Sequence, residues 1–393
     1  MTTTGYGGHF LPLLPFGRAC VRAGHEVRVA APASRRATIE RAGLDFVACA
    51  DPDPGALAQL VASLAELDRR DGHARMMSVG FPSIAARAVL RDIVEIVDRW
   101  QPHLVVRESQ EYAGALAAER GGVQHVRVAL GLSAQEDATL ALAAGAVDEL
   151  RGELGLAADP DARALREPPC LTFVPPPLEQ PGDSERPGVH RFRAVRNGAS
   201  EPGLIEGDGG PLLYVTFGSV AGLLGLFPGV YRATLERLAG LEARILVTIG
   251  EDADPRELGS LPPNVRVERW VAQDAVISQA AAVVCHGGYG SVLGALAYGV
   301  PVVALPLFAD DQWRNARRVH DLGAGIAIEG NRGSERRMLD GPGGEALLAL
   351  PNAIAAVLDN PSYGRAARSV SAAIEALAPV DEAAGLLEAI AAR

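Results

Sequence analysis

The segment Val283-Val284-Cys285-His286-Gly287-Gly288-Tyr289-Gly290-Ser291 decides the fold. The apolar run over residues 280–285 reads as a strand buried on both faces, as in a parallel sheet. A histidine, three glycines within four residues and a serine follow, and then a helical pattern over residues 292–298. Glycine lets the backbone come close to a ligand, and the N–H groups at a helix start attract anions. In that order these elements form a phosphate cradle with an imidazole beside it. Open α/β sheets keep their ligands at the carboxyl ends of strands, where His286 falls. The plainer reading is a tight turn whose glycines serve packing alone.

Strand and helix patterns alternate outward from this segment in both directions. In the second half, strands are expected at residues 212–217, ending in Gly218-Ser219, and at 245–249, 265–268 and 302–305, with helices at 231–241, 274–279 and 382–392. The first half opens with Gly5-Tyr6-Gly7-Gly8-His9 and a helix at 11–23. Strands at 27–31, 46–48, 104–106 and 124–129 alternate with helices at 35–42 and 112–120, and residues 55–100 are mostly helical. Such alternation specifies a parallel sheet with helices on both faces. Residues 168–210 break it with Pro175 to Pro177 and a Gly/Glu/Asp-rich stretch, and read as a linker region.

The expected fold class is therefore α/β: two Rossmann-like, doubly wound parallel-sheet domains facing a cleft, where a ligand is usually held. The expected boundaries are 1–196 for the first domain, 197–210 for the linker and 211–370 for the second domain. Residues 371–393 form a C-terminal helix that can cross back to the first domain.

Composition narrows the chemistry. The chain of 393 residues is 48% hydrophobic and 22% charged, enough to bury large cores. A formal net charge of −11 argues against nucleic acid as a partner. The sequence contains no lysine, which excludes a P-loop lysine and a Schiff-base lysine. Cys20, Cys49, Cys170 and Cys285 lack metal-ligand spacing and fit buried thiols in a reducing cytosol. No apolar run reaches the length of a membrane span, and the start lacks a secretion signal. A cytoplasmic location is expected.

Taken together, the motifs carry a family likeness. They are Gly5-x-Gly7-Gly8-His9-x-x-Pro12, Gly24-His25-Glu26-Val27, Thr216-Phe217-Gly218-Ser219, Trp270-Val271-Ala272-Gln273, His286-Gly287-Gly288-x-Gly290-Ser291, Gly299-Val300-Pro301 and Asp311-Gln312-x-x-Asn315-Ala316. The chain resembles the GT-B glycosyltransferases of family 1, especially the actinobacterial enzymes that decorate antibiotics and other natural products. The likeness covers nearly the whole chain in family order.

The resemblance implies a donor site for a dTDP- or UDP-sugar. His286, Gly287, Gly288, Gly290 and Ser291 would hold its diphosphate, because the leaving group needs donors aimed at its growing charge. Gly218 and Ser219 would approach the same phosphates. Trp270 would stack on the nucleobase, with Val271 and Gln273 beside it in the same motif; otherwise Trp270 is a core or interface residue. Asp311 and Gln312 would bind sugar hydroxyls, with Asp310 competing for the role and a solvated loop as the plainer reading. His9 would be the general base, since an imidazole titrates near the working pH. Its carboxylate partner would be Glu108, with Glu111 as the fallback; a structural histidine in a glycine loop is the alternative. His73, Met77 and Phe81 lie in the segment where the family forms its acceptor pocket, although a methionine and aromatic cluster is more often ordinary core. His25 reads as structural.

Asp252-Ala253-Asp254 has the spacing of a metal-binding pair, but loop acids are common, and enzymes of this kind are expected to need neither metal nor cofactor. The expected activity is inverting transfer of a sugar, plausibly a deoxysugar, to a hydroxyl of a small apolar natural product. Partners are then a nucleotide sugar and an aglycone, with a homodimer left open. A nucleotide-sugar epimerase of the same architecture and a non-catalytic nucleotide-sugar-binding homologue are the rivals. Two departures from the family pattern bear on this. Only Met1-Thr2-Thr3-Thr4 precede Gly5, too few for a central strand of usual length, so either the start is truncated, the favoured reading, or the sheet lacks that strand and His9 is poorly anchored. Ala272 replaces a proline common in its motif.

Overall fold

The computed structural model describes residues 1–194, 196, 210–218, 220–329 and 337–393. The expected linker, Gly210 apart, and Ser219 lie outside these residues. The first half supplies strands β1 (Arg28–Pro32), β2 (Asp45–Cys49), β3 (Val105–Glu108), β4 (His125–Val128), β5 (Cys170–Thr172) and β6 (Val189–Arg193). The second supplies β7 (Leu212–Thr216), β8 (Arg244–Thr248), β9 (Val265–Glu268), β10 (Ala282–Cys285), β11 (Val302–Ala304) and β12 (Gly325–Ala327), and a short β13 (Ala378–Pro379) follows. Both β5 and β6 fall inside the stretch read as a linker region, so that reading is corrected. Their brevity and flanking prolines hide the strand pattern.

The second sheet runs β12-β11-β10-β7-β8-β9, with every pairing parallel. Its strands alternate strictly. Leu213, Val215 and Phe217 enter one hydrophobic core, and Leu212 and Tyr214 enter the other. A sheet covered on both faces explains why these strands read as unbroken apolar runs.

The first sheet contains β2-β1 and β13-β6-β5-β4-β3, joined through the first residues of the chain. Thr2 N donates to Val106 O at 2.9 Å, and Glu108 N donates to Thr2 O at 3.3 Å. On the other side Ala30 N donates to Met1 O at 2.9 Å, and Thr3 N donates to Ala30 O at 3.3 Å. The expectation that four residues are too few to hold the centre of this sheet is therefore corrected, and so is the alternative that the sheet lacks a central strand. Met1 to Thr4 lie between β1 and β3, and Thr2, Thr3 and Thr4 are buried. Extended, β-branched threonines suit that position and bring hydroxyls to the centre of the sheet.

Helices cover both faces here too. Val105 on β3 enters the core beneath the helices Arg87–Trp100, Ala113–Arg120 and Ser133–Glu153. Val106 enters the opposite core, with Leu13, Phe16, Leu387 and Ile390. That second layer joins the helix Leu14–Arg22 to the C-terminal helix Ala383–Ala391, and β13 pairs with β6. The end of the chain thus belongs to the first sheet.

Each sheet changes winding direction at one place. In the second sheet it lies between β7 and β10, and in the first between residues 1–4 and β3. A ligand is expected outside the carboxyl ends of the strands at such points. His286 and His9 both occupy them.

Candidate active site

His9 sits in the one-turn helix Gly7–Phe10 that follows the central strand. Its Nδ1 lies 3.0 Å from Glu108 Oε1, while Glu108 itself is fully buried. Thr4 donates to the same oxygen from N at 3.3 Å and from Oγ1 at 3.1 Å, and Gln110 N donates to Oε2 at 2.7 Å. Burial works to raise the Glu108 pKa, but the charge and hydrogen bond of His9 and the backbone donors outweigh it and lower it. The carboxylate therefore stays ionised, and it fixes the imidazole with Nε2 free to accept a proton.

Glu111, the fallback partner, is occupied elsewhere. It accepts from Thr2 Oγ1 and from Gly114 N at 3.0 Å, at the start of the helix Ala113–Arg120. Burial above all raises its pKa. A Cβ on Gly114 would collide with Thr2 Oγ1, so this crossing requires glycine.

On the second domain, β10 ends at Cys285 opposite Thr216 of β7, which puts His286 beside Gly218. The two glycines Gly218 and Gly288 make room for the ring. A Cβ on Gly218 would come within 2.9 Å of His286 Nε2, and one on Gly288 would collide with it. Gly218 and Gly287 also have φ of +77 and +82°. Desolvation pushes the His286 pKa down to about 4, against a backbone hydrogen bond with Thr216. The helix Tyr289–Ala297 starts here with no side-chain cap, so its first amides point into the same space. Gly290 is exposed and Ser291 is buried.

The helix Asp310–Asp321 closes the cradle. Asn315 Nδ2 donates to Gly287 O at 3.0 Å. Burial, then the adjacent Asp310 charge, pushes the Asp311 carboxyl up to about 6, against the amides of Asp311 and Gln312 and the attraction of His9. The Asp311 carboxyl thus lies within electrostatic reach of His9 across the cleft. Asp310 pairs with Arg314 at 2.7 Å, which leaves Asp311 as the acid directed at the cleft.

Models of the erythromycin biosynthesis protein CIII-like family match residues 18–153 with the N-terminal domain and 232–390 with the C-terminal domain. The L-demethylnoviosyl transferase of Streptomyces niveus is 33% identical over 340 residues, covering 82% of either chain. This chain belongs to the CIII-like glycosyltransferases. The elloramycin glycosyltransferase ElmGT of Streptomyces olivaceus is 32% identical over 96% of this chain and 94% of its own. The glycosyltransferase SsfS6 of Streptomyces sp. SF2575, solved with thymidine diphosphate, superimposes with a TM-score of 0.72 at 25% identity, covering 99% of this chain and 98% of that one. The architecture is GT-B, with its two parallel α/β sheets, and the chain is a glycosyltransferase of the antibiotic type.

Not every expected site residue faces the cleft of this CIII-like glycosyltransferase. Trp270 is 64% exposed, so the core alternative is set aside and a ring face is available for stacking. Val271 is buried in the core, and Gln273 Nε2 donates to Tyr214 OH at 3.3 Å, so both support the turn from within. Gln312 Oε1 accepts from Leu307 N at 2.9 Å and Phe308 N at 3.1 Å, leaving only its Nε2 to reach a sugar. Asp254 caps the turn Pro255–Leu258 and pairs with Arg256 at 2.6 Å. Among the described residues no helix is long and apolar enough to cross a membrane.

The segment expected to line the acceptor pocket includes Met76–Ala86, which is wound as a π-helix and continued by Arg87–Trp100. Phe81 lies against His9 with ring centroids 5.0 Å apart, while Met77 is buried. His73 is buried against the second domain, where desolvation lowers its pKa against the charge of Asp310. A cavity of about 320 Å³ opens beside Thr4 and Tyr6 and is walled by Leu57, Ala85, Ala86 and Val89. The sequence marks Asn315 only as part of a motif and gives it no role; Thr4 and this cavity were missed. The contacts that reveal them join residues far apart in the chain, and no local pattern marks them.

Proposed function

We propose that this glycosyltransferase inverts the anomeric centre without a metal ion, moving a deoxysugar from a dTDP-sugar to a hydroxyl of a small apolar aglycone in the cytosol. The observation that carries the reading is the 3.0 Å contact of His9 Nδ1 with buried Glu108, at the winding switch of the first sheet. His9 Nε2 takes the acceptor proton as the hydroxyl oxygen attacks the anomeric carbon from the face opposite the nucleotide. Glu108 stabilises the imidazolium that forms. The bond to the diphosphate breaks, and its charge passes to the amides of the helix Tyr289–Ala297 and to His286.

The thymidine diphosphate of SsfS6 supports dTDP as the donor nucleotide, and the sugar transferases among the relatives support a deoxysugar. Asp311 is suited to the sugar hydroxyls and Trp270 to the base. Phe81 and the cavity behind Tyr6 favour an aromatic or polyketide-like acceptor. Four free cysteines, three of them buried, support a reducing compartment.

The test is transfer from dTDP-deoxysugars to a panel of polyketide aglycones, with the anomeric configuration read by NMR and the rate compared with and without EDTA. Retained configuration, or a rate abolished by EDTA and restored by a divalent cation, would refute the corresponding part. Interconversion of the nucleotide sugar without acceptor would show an epimerase instead.

A further inference from the structure

Arg107 is 1% exposed on β3, one residue before Glu108. Strand side chains alternate, so it points to the opposite face of the sheet from Glu108. Its Nη1 donates to three backbone oxygens, those of Glu108 at 3.2 Å, Ser109 at 3.0 Å and Glu111 at 3.2 Å. Nη2 donates to Leu165 O at 3.3 Å. The three carbonyls belong to the turn that leaves β3, and they converge because the chain wraps around one nitrogen. On the other side of that turn, Gln110 N donates to Glu108 Oε2 at 2.7 Å. The turn is therefore gripped twice, its carbonyls by Arg107 and its amide by the carboxylate that holds His9.

A buried guanidinium is costly, and an apolar residue of similar size is often as stabilising at such a site. The four carbonyls it meets require a donor, but not one that carries a charge. We infer that Arg107 is a positioning residue, which fixes the turn after β3 so that the Glu108 carboxylate stays on His9 Nδ1. The inference rests on the reading of His9 and Glu108 as base and partner. The charged groups facing His9 are Glu108 and, across the cleft, Asp311; those acting on Arg107 are Glu111 and Arg127, with His125 beside it and Glu108 on the other face of the sheet.

The test uses the full chain labelled with 15N at histidine. The His9 Nδ1 proton on Glu108 is expected as a downfield resonance, assigned by its loss in His9→Ala. Arg107→Met is expected to broaden or lose it while dTDP still binds as in the wild type. The transfer rate is expected to fall by roughly tenfold to a hundredfold with the donor KM unchanged, the cost of a misplaced catalytic group. Arg107→Lys, which keeps a charged donor, is expected to recover part of both. If Arg107→Met does not fold, Arg107→Gln is read in the same way, because its shorter side chain cannot span the three carbonyls. A wild-type resonance and rate in the folded variant would overturn the inference alone. Absence of the resonance from the wild type, with an undiminished His9→Ala rate, would overturn the reading of the base and the inference with it.

Discussion

His9 Nδ1 and Glu108 Oε1 lie 3.0 Å apart across 99 positions of chain, and Thr4 donates to the same carboxylate oxygen. The central strand, the glycine turn and the end of β3 thus meet at one atom. Removing either partner should act on the chemical step and spare the donor site. His9→Ala and Glu108→Gln are expected to lower kcat by about 10² to 10⁴-fold, the range for a general base. The dTDP affinity, measured by calorimetry, should not change. Equal losses of affinity and rate would point to a structural role instead.

The glycines around His286 separate steric from conformational effects. Gly288→Ala places a methyl group against His286 Nε2, while Gly290→Ala meets nothing within 4 Å. We expect the first to weaken dTDP binding by about tenfold or more, as overpacking displaces the ring. The second should bind as the wild type does. Two variants of equal affinity would dissociate His286 from the phosphate site.

Asp311 gives stability a definite pH dependence. Its pKa rises from 3.8 to about 6 in the folded chain, so the folded state binds the proton more tightly. The carboxyl therefore destabilises the fold increasingly as pH rises from about 4 to 6, and fully above that, by on the order of 3 kcal/mol. Asp311→Asn should raise Tm at pH 7.5 and have little effect at pH 4, while impairing sugar transfer. A gain in Tm that is independent of pH would refute this assignment.

His286 should couple nucleotide binding to protons. Its pKa of about 4 leaves it neutral in the empty site, and a diphosphate beside it favours the charged form. Affinity for dTDP should increase as pH falls from 7 to 5 more steeply in the wild type than in His286→Gln. Parallel titration curves for the two proteins would show that the imidazole stays neutral in the complex.

Trp270 offers an optical readout. With 64% of its surface exposed, its fluorescence should change when thymine stacks on it. Trp270→Ala should remove that signal and weaken binding by about 1–3 kcal/mol, the usual worth of base stacking on an aromatic ring. An unaltered affinity would place the base elsewhere.

Much of this was legible because its signals are local. The strand, histidine and glycine turn around His286 lie within nine consecutive residues, and Trp270 and Asp311 sit in short motifs. Glu108 was named ahead of Glu111 on the resemblance alone, since the two lie only three positions apart and the turn after β3 decides which one faces His9. The orientations of Gln273 and Gln312 are likewise tertiary facts, because an amide reaches a sugar or a backbone equally well. The central strand was discounted because only four residues precede Gly5, whereas in the fold pairing on both sides holds so short a segment in place.

The return of β13 and the helix Ala383–Ala391 to the first sheet constrains how the enzyme can be recombined. A hybrid spliced once between the two domains would lay the tail of one parent on the sheet of the other, mismatching Leu387 and Ile390 against Phe16. Leu60 and Leu64 pack the other way, into the core of the second domain. Exchange of sugar or acceptor preference between relatives is therefore best made with two crossovers, so that the tail travels with the amino-terminal half, and with the seam around residues 54–75 kept from one parent.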